Sequence, residues 1–127
     1  MTQEDKQLLL KDICARLPYK VKGVYARTDI KNLSICEITT HLYGEMEESY
    51  NGKEKYEFIP YLRPMSSMTD EERRTLDSMC NGVEMVSRLS GLKMFDKAFD
   101  WLNKNHFDYR GLIEKGLAID ATGLNIY

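Results

Sequence analysis

The chain has 127 residues, with 18 Lys+Arg against 20 Asp+Glu and a formal net charge of −2. At 43% hydrophobic residues it carries enough apolar material for one core, and at this length not for two, so a single domain over residues 1–127 is expected. So even a charge balance excludes a global basic field for a phosphate backbone, and the longest apolar runs fall far short of the ~20 residues that cross a bilayer.

Cys14, Cys36 and Cys80 are odd in number and far apart, with no Cys-x-x-Cys pair and no His at ligand spacing. That argues against a disulfide framework and against zinc, and no other metal or cofactor signature stands out. The opening Met-Thr-Gln-Glu-Asp-Lys carries both signs of charge and is followed only by Leu8, Leu9 and Leu10, which makes no signal peptide. A cytoplasmic, membrane-free protein is expected. Asn32-Leu33-Ser34 formally matches a glycosylation acceptor, which such a protein cannot use.

Residues 2–17 read as a helix capped by Thr2, with Glu4 and Asp5 in the first turn and Pro18 as the stop. Leu9, Leu10, Ile13, Cys14 and Leu17 form its apolar face, with Lys11, Asp12 and Arg16 opposite. The pattern then changes to strands. Val21 to Ala26 is a short one, Thr28 to Asn32 the turn after it, and Leu33 to Tyr43 alternates Cys36, Ile38, Thr40 and Leu42 against Glu37, Thr39 and His41. Asn51-Gly52 suits a two-residue type I′ turn and predicts a hairpin with arms Glu45 to Tyr50 and Lys53 to Ile59. Pro60 cannot donate to a ladder, so the second arm should end there or lie at an edge, and Pro60 to Pro64 reads as an extended linker.

Thr69-Asp70-Glu71-Glu72 is a capping box that starts a helix at Asp70, with Leu76, Met79, Cys80 and Val83 along one face and Asn81-Gly82 as a plausible stop. Whether residues 83–89 continue that helix is open. Leu92 to Lys104 is the clearest helix of all. At about 100° per residue its apolar and charged positions fall into separate halves, which predicts Trp101, Phe95 and Phe99 as the centre of the core. Asp108 can cap a last short helix, Tyr109 to Lys115, closed by Gly116, and Leu117 to Tyr127 could add a strand. Strands without regular β-α alternation, flanked by helices, predict an α+β fold. Its sheet would be small and antiparallel, of roughly three to five strands, packed by the N-terminal helix and the C-terminal helices.

Three stretches carry a resemblance: Glu4 to Tyr19 (EDKQLLLKDICARLPY), Ile59 to Thr69 (IPYLRPMSSMT) and Trp101 to Ala118 (WLNKNHFDYRGLIEKGLA). Together they resemble a family of short uncharacterised proteins of Bacteroides-type gut bacteria and their prophages. The resemblance spans most of the chain in order and is weakest between Arg27 and Tyr56. It implies a bacterial cytoplasm and a mobile-element origin, and it carries over no functional residue.

Four groupings bear on function. His106-Phe107-Asp108 offers an imidazole and a carboxylate two residues apart, the types for a base with its orienter or for metal ligands, while a plain helix junction uses the same residues. Cys80 and His41 pair as nucleophile and base only if the fold brings them together, and Cys80 sits at a core spacing. Six of the eight tyrosines lie between Tyr19 and Tyr61 among lysines and arginines, which suits base stacking, but Glu45, Glu47, Glu48, Glu54 and Glu57 oppose a phosphate strand. Tyr61-Leu62-Arg63 between two prolines has the residue mix of a binding hot spot.

The expectation drawn from these is a non-catalytic module that binds another protein through Tyr61, Leu62, Arg63, Tyr50 and Tyr56. The alternative is a small nucleic-acid binder using sheet tyrosines and lysines. No catalytic residue, metal ligand or cofactor is assigned, and the oligomeric state is not readable from the residues.

Overall fold

The computed structural model describes residues 2–27, 30–50, 56–80 and 88–127. Helix α1 (Gln3–Arg16) starts as its sequence dictates: the Thr2 hydroxyl accepts from Asp5 N–H while the Asp5 carboxylate accepts from Thr2 N–H. Pro18 then tightens the chain into a 3-10 turn (Leu17–Tyr19), closed by Lys20 in the left-handed region. The buried face of α1 is Leu9, Asp12, Ile13 and Arg16, spaced i, i+3, i+4, i+7. Asp12 and Arg16 are therefore inside, not opposite the core as their charge suggested, and Cys14 is exposed. Each neutralises the other, so the usual penalty that keeps charges out is offset.

Strand β1 (Lys22–Arg27) pairs antiparallel with β2 (Ile30–Glu37) on one side and with β3 (Tyr56–Pro64) on the other. Helix α2 (Thr40–Tyr50) separates β2 from β3 in sequence. This corrects two expectations: the strand does not run on to Tyr43, and Glu45 to Tyr50 is helix rather than a hairpin arm. The reason is local and tertiary together. The Thr39 hydroxyl accepts from Leu42 N–H as an N-cap, and the turn it starts puts Met46 into the core with Leu42 and Tyr43 packed against it. Asn51-Gly52 and Asn81-Gly82 lie outside the described residues.

Strand β3 does not stop at Pro60. Its ladder with β1 ends there, at Gly23 opposite Pro60, so the missing N–H falls where the neighbour changes. Beyond it, β3 pairs in parallel with two short strands, β4 (Phe107–Asp108) and β5 (Ile119–Asp120). Leu62 C=O accepts from Ala121 N–H and Arg63 N–H donates to His106 C=O. These two groups belong to one peptide unit and point oppositely, so β5 and β4 flank β3 on opposite sides. The sheet is thus mixed, where an antiparallel one was expected, and residues 60–64 form its central strand rather than a linker.

The helix α3 (Asp70–Cys80) carries the predicted box: Glu72 N–H donates to Thr69 Oγ1 at 3.1 Å and Thr69 N–H to Glu72 Oε1 at 3.0 Å. Thr69→Ala removes one partner of an exposed cap and should cost about 1 kcal/mol, readable as a lowered urea midpoint. After α4 (Arg88–Lys104) the chain makes β4 and then a single turn in place of the short helix expected over Tyr109 to Lys115. Asp108 still caps, accepting from Leu112 and Ile113 N–H at 2.9 Å each. Gly116, at φ 73°, closes the turn: Leu117 N–H reaches Leu112 C=O and Gly116 N–H reaches Ile113 C=O, the paired bonds of a Schellman stop.

The core gathers Leu9 and Ile13 of α1, Val21, Ile38, Met46 of α2, Phe58 and Leu62 of β3, Leu112, Leu117 and Ala118. Phe107 is equally buried. Trp101 stacks on Phe107 at 5.7 Å from a half-buried position, but Phe95 and Phe99 are 43% and 48% exposed. The core is therefore built by α1, α2, β3 and the segment 112–118 rather than around Phe95 and Phe99, and the wide apolar face of α4 is only partly used.

Candidate functional site

The segment singled out for docking is mostly interior. Tyr61 is 8% exposed, and Leu62 is fully buried in the central strand. Arg63 is committed: its two terminal nitrogens donate to the two Glu72 oxygens at 2.8 and 2.7 Å, and its guanidinium lies 4.2 Å over the Phe107 ring. That bidentate bond, with the Thr69 cap, pulls the Glu72 carboxyl down to about 2. Tyr50 ends α2 and Tyr56 begins β3, and their side chains lie outside the described residues.

The His106-Phe107-Asp108 pair is divided. Both Asp108 oxygens are spent on the Leu112 and Ile113 amides. His106 sits at φ 63° with its ring stacked on Tyr127 at 3.7 Å and 11°. The Tyr127 hydroxyl accepts from Lys22 N–H and donates to Tyr61 C=O, both at 2.8 Å, tying the tail across the end of the β1–β3 ladder. Burial, and then the nearby cations Arg16, Arg63 and Lys22, push the imidazole down to about 4. It is neutral at pH 7, and its buried Nδ1 has no hydrogen-bond partner among the described residues.

This depression sets a pH dependence. Between the ordinary histidine value of about 6.5 and 4, the unfolded chain binds the proton that the folded one refuses. Stability is therefore full above about pH 6.5 and falls as pH drops towards 4. Allowing for the partial exposure of the ring, the loss should be about 1–2 kcal/mol. His106→Asn, which tolerates the left-handed backbone, should flatten denaturant midpoints measured across that window.

Cys80 is half-buried on α3, and His41 is exposed on α2, where its Nε2 lies 3.1 Å from Glu45. No group of three His, Cys, Asp or Glu that could hold a metal occurs among the described residues. Two of the front-half tyrosines, Tyr25 and Tyr43, lie beside carboxylates. The Tyr25 hydroxyl donates to Glu45 at 2.8 Å. Tyr43 is pushed up to about 12 by burial and by neighbouring Cys14 and Glu47.

What the sequence missed lies between α1 and α4. A groove of about 510 Å³ is lined by Lys11 of α1, by Asp96, Phe99 and Asp100 of α4, and by Tyr109 and Arg110 beyond β4. Its floor is fixed. Tyr109 donates through its hydroxyl to Asn103 Oδ1 at 2.9 Å, Arg110 Nη2 donates to that hydroxyl at 3.1 Å, and Arg110 Nε lies 3.2 Å from the buried Asp12. Phe99 leans on Tyr109 at 5.3 Å and 48°, a tilted aromatic pair, yet keeps almost half its surface in water. Tyr19, in the 3-10 turn after α1, has its hydroxyl pushed up by desolvation and by Asp100 and Asp96. The signal in the sequence was the width of the apolar face of α4, too broad for the packing available to it.

A second, smaller pocket of about 240 Å³ lies between Arg63, Ser67 and the tail segment 121–127. The guanidinium that faces it is already neutralised by Glu72. Comparison with models of known protein families, with curated proteins and with solved structures finds no match. Among the described residues no helix is long and apolar enough to cross a membrane.

Proposed function

We propose that this protein is a non-catalytic docking module that binds a polypeptide surface through the α1–α4 groove. The observation that carries the proposal is Phe99, nearly half exposed on a rigid floor, one helical turn from the similarly exposed Phe95. Aromatic and arginine side chains held in place by hydrogen bonds are the makings of a binding hot spot, because little side-chain freedom remains to be lost on association. Asp96 and Asp100 on one side and Lys11 and Arg110 on the others give the rim charges of both signs. The fitting occupant is a polypeptide face that is apolar at its centre and likewise carries both signs around it. A phosphate strand would meet the two aspartates, which disfavours the nucleic-acid alternative.

The resemblance of three segments to prophage-associated bacterial proteins supports placing the module in a bacterial cytoplasm. Selection of displayed random peptides against the whole protein tests the reading. Bound peptides should perturb the amides of Ala15, Asp96 and Asp100, and Phe99→Ser should weaken them at least about tenfold. Binders that map to the tail pocket, or that ignore Phe99→Ser, would remove the groove from consideration.

A further inference from the structure

We infer that the occupant of the groove is a second copy of this chain, in a two-fold dimer with α4 of each copy set against α1 and the Arg110 segment of the other. The inference rests on the docking reading above and names its partner. A two-fold interface uses one patch twice, so the patch must complement itself. This one does. Its two acids, Asp96 and Asp100, come from α4, and its two bases, Lys11 and Arg110, come from the elements that face α4 across the groove. A two-fold axis lying along the groove, in the plane of contact, lays each acidic flank on the other copy's basic flank. The same axis brings the two exposed Phe99 rings together at the centre. A partner of single sign would meet a like charge on one flank or the other.

Sedimentation velocity on the full chain, from low micromolar to about 1 mM, should show a reversible monomer–dimer equilibrium. Phe99→Ser should weaken it at least about tenfold. Asp100→Lys sets a lysine against the other copy's Lys11, and Lys11→Glu sets a glutamate against the other copy's Asp100, so each variant alone should dimerise at least about tenfold more weakly. Mixed in equal amounts, the two should recover a heterodimer, because Lys at 100 then faces Glu at 11 and the native Lys11 faces the native Asp100. All three residues are exposed, and an unchanged far-UV spectrum checks that the variants remain folded.

A wild-type chain that stays monomeric throughout overturns the inference. So does a dimer indifferent to all three substitutions, or a mixture in which neither variant rescues the other. The two readings come apart cleanly. A monomer whose groove still selects peptides keeps the docking module and loses the dimer, whereas peptides and dimer that both ignore Phe99→Ser end both.

Discussion

Asp12→Ala should destabilise the protein by about 3–5 kcal/mol, the largest effect expected of any single substitution in α1. Asp12 and Arg16 are both wholly buried. Arg16 donates to the carboxylate through Nε at 2.8 Å and Nη2 at 3.1 Å, and Nη2 also donates to Phe107 C=O at 2.6 Å. Arg110 Nε lies 3.2 Å from the same carboxylate. One anion thus serves two cations, and Arg16 Nη1 already has no hydrogen-bond partner among the described residues. Removing the carboxylate leaves a fully buried guanidinium with, among the described residues, the Phe107 carbonyl and the Tyr109 ring, 5.4 Å away, in place of a counter-charge. In urea at pH 7 the midpoint should fall by roughly 2 M.

The double variant Asp12→Leu/Arg16→Met separates charge from volume. Replacing a buried pair by apolar residues of similar size is often neutral, so the double should recover most of the loss. A double as unstable as the single would mean that shape, not an uncompensated charge, governs the site. Because Arg16 ties α1 to β4 through Phe107 C=O, the single variant should also loosen β4 and lower hydrogen-exchange protection at Arg63 N–H, which donates to His106 C=O.

Gly23→Ala should cost about 3 kcal/mol, at a strand position where Gly→Ala ordinarily stabilises. A Cβ built on Gly23 comes within 2.5 Å of both Ile59 O and the Cζ of Phe58. The carbonyl belongs to the neighbouring strand and cannot retreat without breaking the β1–β3 register, and Phe58 is fully buried. Thermal unfolding of Gly23→Ala beside Gly44→Ala provides the control, since among the described residues nothing beyond the helix's own neighbouring backbone lies within 4 Å of the corresponding position in α2. Gly44→Ala should raise stability by up to about 1 kcal/mol, as a helix-interior glycine is replaced. Equal effects at the two positions would refute the close approach of Phe58 to β1.

The candidate site was less legible than the fold because the sequence signals a residue's type more clearly than its neighbours. Tyr61-Leu62-Arg63 has a hot-spot composition, and the same composition serves a central strand once β4 and β5 come to lie beside it. His106 and Asp108 stand two residues apart, yet their partners, Tyr127 on one side and the Leu112 and Ile113 amides on the other, are set by how the tail folds back. Phe95 and Phe99 lay on a well-defined apolar face. How much of that face would be covered depended on elements elsewhere in the chain.

By itself the sequence determined the parts governed by neighbours within a turn or two: the Thr2 cap, the Thr69 box, the extent of α1, the start of α3, most of α4, the Gly116 stop and the α+β class. These depend on hydrogen bonds and periodicities spanning three to six residues, which any chain segment carries with it. Only the tertiary structure decided that Glu45 to Tyr50 is helix, that Pro60 sits mid-strand, that a charged pair lies inside and that two phenylalanines remain in water. Each of those outcomes turns on which distant surface arrives to bury or satisfy a group, and burial is a property of the assembled chain rather than of its local pattern.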